Sequence, residues 1–131
     1  MILPLLLLLA PPQQTPRHVV EAMFEAFNRH DAPAMARLYA PDARLASSDF
    51  CAPRTGKQVE RTYRALFEAL PDVIDQIETI VAEGDHVAVR FTATSAAAGL
   101  RMPIQAMLRV EGGKITQDDS VFDTGGKPCE P

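Results

Sequence analysis

The sequence predicts one α+β domain in which N-terminal helices pack on one face of a curved, mainly antiparallel sheet. Before Pro71 the apolar residues recur at helical spacing, whereas after Asp72 they fall into short strand-like runs. Those runs are separated by tight turns at Glu83-Gly84-Asp85 and Glu111-Gly112-Gly113. No strand–helix–strand alternation occurs, so a Rossmann-like sheet is disfavoured.

Val19, Val20, Met23, Phe24 and Phe27 form one apolar stripe between Pro16 and Arg29, and Thr15 before Pro16 is a cap followed by a first-turn proline. "HDAPAMARLY" is read as a short second helix capped by Asp31, and "APDARLAS" as a turn into a strand. Residues 48–56 form a Ser-, Pro- and Gly-rich loop. Val59, Tyr63, Leu66, Phe67 and Leu70 then give a third helix that must stop before Pro71. The remaining strands are two runs in "VIDQIETIVAEGDHVAVRFTATS", then "IQAMLRV", then "KITQDDSVFD".

A chain of 131 residues, 47% hydrophobic and 23% charged, suits a single globular core. Its net charge of -4 and scattered arginines exclude the basic footprint of a nucleic-acid binder or an anionic-membrane patch. The opening "MILPLLLLLA" is too short for a stable membrane span, since a helix of about ten residues reaches about 15 Å across a core of about 30 Å. It has the length of a signal-peptide h-region, although it lacks a basic n-region side chain and a small-residue cleavage site. We therefore divide the chain into a signal-like segment and Pro/Gln linker (1–15), a domain (16–124) and a tail (125–131). Export to a secreted or periplasmic location is expected, or a cytoplasmic one if the apolar start is not a signal.

Cys51 and Cys129 either form one disulfide tying the tail to the body or remain two free loop thiols. No His or Cys pair has metal-ligand spacing, so no metal site is expected.

The succession "FEAFNRHDAPAMARLYAPDARL", "YRALFEALPDV", "EGDHVAVRFTATS" and "MLRVEGGKITQDDSVFD" resembles the SnoaL-like branch of the nuclear transport factor 2-like superfamily, over residues 17 to 124. The resemblance implies a cone-shaped barrel with an apolar cavity between sheet and helices, and homodimers formed through the sheet. It does not fix an activity, because this fold hosts cyclases, isomerases, hydratases and non-catalytic modules.

Strict alternation along "ITQDDSVFD" puts Ile115, Gln117, Asp119, Val121 and Asp123 on one face and Thr116, Asp118, Ser120 and Phe122 on the other. In the resembled family the face containing the position of Asp123 points into the cavity, and an Asp on this strand is the acid-base residue of the cyclases. Asp119 and Asp123 are thus the catalytic candidates, and Asp118 is assigned to solvent or an interface. The competing reading makes Asp123 an end-of-strand acid bonded to backbone or paired with an arginine such as Arg90 or Arg109, and Asp119 a member of a structural ion pair. Met23, Phe27, Tyr63, Phe67, Gln105 and Met107 are the ligand-binding candidates, with core packing as the alternative for the apolar ones. Tyr39 is likewise either core or a ligand-orienting phenol.

Ketosteroid isomerases, also of this superfamily, use an Asp base with an oxyanion hole of Tyr and protonated Asp. Matching that pattern puts Met23, Ser47 and Ala106 at the three positions, so that chemistry is not expected unless Asp49 replaces the base. The sequence therefore reads as a domain binding a small, largely apolar organic molecule. A cofactor-independent acid-base enzyme is the alternative.

Overall fold

Thr15 opens the first helix, α1 (Pro16–Asn28), by accepting a 3.2 Å hydrogen bond from the His18 amide at its Oγ1. The computed structural model of the protein describes residues 14–131, and the signal-like reading of the apolar start lies outside those described residues. The stripe read from the sequence is the buried face of α1, from Val19 and Val20 to Phe24 and Phe27. Arg29 caps the helix, and the chain leaves it at His30, whose φ of 55° lies in the left-handed region that favours glycine. Two contacts hold it there. His30 Nε2 lies 2.6 Å from the Val73 carbonyl oxygen, and the ring stacks on Phe67 at 4.5 Å.

Helix α2 (Ala32–Arg37) is capped by Asp31, which accepts from the Ala34 amide at 3.0 Å. It stops short of the tyrosine the sequence reading included, because Tyr39 opens strand β1 (Tyr39–Ser47) with its side chain buried. The loop to α3 (Val59–Ala69) contains a two-residue strand β2 (Arg54–Thr55) and a 3-10 turn, Gly56–Gln58. A Cβ on Gly56 would lie 1.8 Å from the Ala40 carbonyl oxygen, so only glycine lets this turn close on β1.

Strands β3 (Ile74–Glu83), β4 (His86–Ser95), β5 (Leu100–Glu111) and β6 (Lys114–Val121) follow as a meander. The sheet order is β2-β1-β6-β5-β4-β3, antiparallel except where β1 runs parallel to β6. This is the expected α+β architecture. The six-stranded sheet remains open rather than closing into a full barrel, with β2 and β3 at its edges. Register shifts in the β3–β4, β5–β6 and β1–β6 pairs bend the strands, and the helices cover the inner face. Val19 and Val20 of α1 pack there with Val87, Leu108 and Ile115, all at most 1% exposed.

The two cysteines are bridged, with Cα atoms 5.0 Å apart across 78 residues of chain. The bridge sits in a short parallel pairing of Phe50 with Glu130, where the Cys51 amide donates to the Glu130 carbonyl at 2.8 Å. Arg54 adds a cation–π contact 3.8 Å over the Phe50 ring and reaches Glu130 at 3.4 Å. Reduction, or Cys51→Ser with Cys129→Ser, is expected to lower unfolding free energy by about 2–4 kcal/mol. Thermal melts with and without reductant check this, and an unchanged melting temperature would contradict it.

Candidate functional site

Between α1, α3 and the inner face of the sheet lies a cavity of about 700 Å³. Met23, Phe24 and Phe27 line it from α1, and Thr62, Tyr63, Leu66 and Leu70 from α3 and its end. The sheet contributes Phe91 and Ala93 of β4, Met102, Ile104 and Ala106 of β5, and Asp118 and Ser120 of β6. Its rim is built by Phe50, Arg54, Arg61, Glu130 and Pro131.

The acid on this wall is not the one that simple alternation selects. In the β5–β6 pair Val110 faces Ile115 and Arg109 faces Gln117, which leaves Thr116 as an extra residue. Such a bulge resets the parity of everything after it. Ile115 and Asp118 therefore both face inward, at 0% and 6% exposure, and Asp119 turns to the outer face. There Asp119 pairs with Arg44 at 3.0 Å and accepts from Gln117 Nε2 at 2.7 Å. Asp123 lies beyond the end of β6 in a turn, where its Oδ1 accepts from the Gly125 amide at 2.8 Å. Neither lines the cavity, so the expected placement of Asp119 and Asp123 is corrected, and so is the assignment of Asp118 to the surface.

Of the six side chains expected around a ligand, Met23, Phe27 and Tyr63 are brought together on the wall. Phe67 sits behind them, edge-on to Phe27 at 5.2 Å and under His30. Gln105 and Met107 are corrected to the outer face, because Ile104, Ala106 and Leu108 take the inward positions of β5. Met107 is 48% exposed there, beside Asp119. Asp49 does line the cavity and accepts a hydrogen bond from Ser47 Oγ.

The Asp118 carboxyl is pushed up to about 6, chiefly by burial, with a smaller push from Asp119. Its hydrogen bonds work against this by favouring the ionised form: Tyr39 OH donates at 2.7 Å and Ser120 Oγ at 3.4 Å. Burial raises both Tyr39 and Tyr63 well above the usual phenol value, and the negative Asp118 reinforces it. Both phenols thus stay protonated as hydrogen-bond donors.

A second acid, Asp75 at the start of β3, is 9% exposed and is raised to about 7 by burial alone. The sequence reading passed over it. A signal was present, since Val73, Asp75 and Ile77 alternate, which sets an acid on the apolar side of the strand. The wall therefore presents two carboxyl groups that exchange protons near neutrality, set among aromatic and aliphatic side chains. Among the described residues no group of three or more His, Cys, Asp or Glu is placed to hold a metal ion.

The SnoaL-like domain family matches residues 20–117. No curated protein matches the chain. Among solved structures, the chain is similar to IdmH, a candidate polyketide cyclase from Streptomyces antibioticus, at 24% identity and a TM-score of 0.77, over 86% of this chain and 94% of that one. It is also similar to AclR, a candidate hydroxylase from Streptomyces galilaeus, at 24% identity and a TM-score of 0.70, over 82% and 88% of the two chains. A de novo designed protein with a curved β-sheet superposes comparably, at 22% identity and a TM-score of 0.71, over 86% and 88%. Similarity at this level speaks for the fold alone.

Proposed function

The chain belongs to the SnoaL-like domain family, and from that premise we propose that its cone binds a small, largely apolar organic molecule and that Asp118 moves a proton on it without a cofactor. The observation that carries this reading is the Asp118 carboxyl, 6% exposed on the cavity wall and held by Tyr39 OH at 2.7 Å. A group raised to about 6 is mostly ionised at neutral pH, yet basic enough to take a proton from a carbon or hydroxyl of a bound molecule. Tyr39 fixes the carboxylate's orientation, and the Tyr63 phenol is available as a donor to an oxygen that gains charge. Cyclisation, isomerisation and hydration all fit this arrangement. The cyclase and hydroxylase assignments of IdmH and AclR support a small organic substrate.

The reading is tested on the first substrate turned over in a screen of small cyclisable or enolisable compounds. The rate should rise through an inflection near pH 6 that disappears in Asp118→Asn. The same inflection persisting in that variant would assign the proton to another group.

Export is supported by the Cys51–Cys129 bridge, which forms and persists in oxidising compartments. A homodimer through the outer face of the sheet is supported by the exposed Ile74, Val81, Met107 and Val121 there. Met107→Lys is expected to shift the mass measured by light scattering from dimer to monomer. A monomeric wild type would remove the proposal.

A further inference from the structure

We infer that the molecule held in the cavity carries a hydroxyl group, and that Asp75 receives it at the end of the cavity opposite the Asp118 strand in sheet order. The inference rests on the reading that the cavity binds a small organic molecule. Asp75 lines the cavity and is 9% exposed, and neither of its carboxyl oxygens has a hydrogen-bond partner among the described residues, Oδ1 being enclosed and Oδ2 the one left accessible. A buried polar atom with no partner is uncommon and costly, so it calls for a group not supplied by the protein.

No structural duty explains the carboxyl. The backbone at Asp75 is already secured by Asn28, whose Nδ2 donates to the Asp75 carbonyl at 2.9 Å and whose Oδ1 accepts the Asp75 amide at 2.8 Å. The carboxyl forms no ion pair or cap among the described residues, and its cross-strand neighbour is Ala93. Asn28 thus fixes where the side chain stands while leaving the carboxyl without a protein partner.

The chemistry favours a hydroxyl over other polar groups. Burial brings Asp75 to about 7, so both of its protonation states are populated at neutral pH. A hydroxyl donates to the carboxylate and accepts from the carboxylic acid, and so suits both. An ammonium suits only the ionised form, and a carbonyl only the protonated one.

The test is a fluorescence titration of the whole, disulfide-bonded protein with 1-pyrenemethanol and its hydroxyl-free counterpart 1-methylpyrene. In the wild type the alcohol should bind about tenfold tighter, the scale of one hydrogen bond to an ionisable group. Asp75→Leu and Asp75→Val, two variants so that a folding failure in one does not remove the test, should bind both probes equally. Asp118→Asn should keep the preference. Equal binding of the two probes by the wild type overturns the role of Asp75 while leaving the binding cavity intact. A preference that survives in Asp75→Leu, or is lost in Asp118→Asn, overturns it too. If neither probe binds, the cavity reading itself fails and the inference goes with it.

Discussion

Asp118→Asn is expected to lower turnover by roughly 10²–10⁴-fold, the usual contribution of a positioned general base or acid. The amide keeps the size and part of the hydrogen bonding of the carboxyl, so binding of the substrate should change little. Asp119→Asn should leave turnover within about twofold, because surface ion pairs such as that of Asp119 with Arg44 carry little energy and this one lies outside the cavity. Tyr39→Phe gives a signature that mere loss of packing would not. Its hydroxyl favours the ionised Asp118, so without it the acid's titration moves upward and the rate inflection shifts to higher pH. Activity lost in Asp119→Asn but kept in Asp118→Asn would refute the assignment.

The second large effect concerns stability, and its sign is opposite to that of most acid-sensitive proteins. Asp75 and Asp118 have folded-state values of about 7 and about 6, both above the ordinary 3.8. Between those limits the folded state holds more protons than the unfolded chain, so unfolding free energy falls as pH rises. The penalty is absent below about pH 4 and complete above about pH 7. At about 1.4 kcal/mol per pK unit, Asp75 alone corresponds to a loss on the order of 4 kcal/mol, and Asp118 to somewhat less. Water entering the cavity reduces both. Asp72 and Asp85 are lowered instead and act in the other direction, but Asp72 is exposed and Asp85 only half-buried, so solvent screens both. Urea midpoints should therefore drop from pH 5 to pH 8, and Asp75→Asn should flatten the decline. A wild-type midpoint that rises across this window would exclude two destabilised acids in the core.

How much of this could be read from the sequence depended on whether the signal was local. The caps at Thr15 and Asp31, the stripe of α1 and the stop before Pro71 are set by adjacent residues, and each stands where the pattern put it. The Cys51–Cys129 bridge was one of two open readings, because pairing depends on a distance between segments that are remote in the chain. Met23, Phe27 and Tyr63 reached the cavity because helical periodicity identifies an inner face directly. Asp118 was misplaced because strand parity holds only while pairing is regular, and the bulge at Thr116 comes from how β6 meets β5. Asp75 was legible between Val73 and Ile77, but its missing partner was not.

The bulge at Thr116 also gives strand pairing control over chemistry. If every residue of β6 paired regularly from Ile115 onward, Asp119 would turn toward the cavity and Asp118 toward the outer face. Removing Thr116 would instead take out the bulge and keep Asp118 inward, because Ile115, Gln117 and Asp118 would then alternate. The same acids in the same order therefore present different carboxyls to a bound molecule according to whether this one residue is bulged or paired.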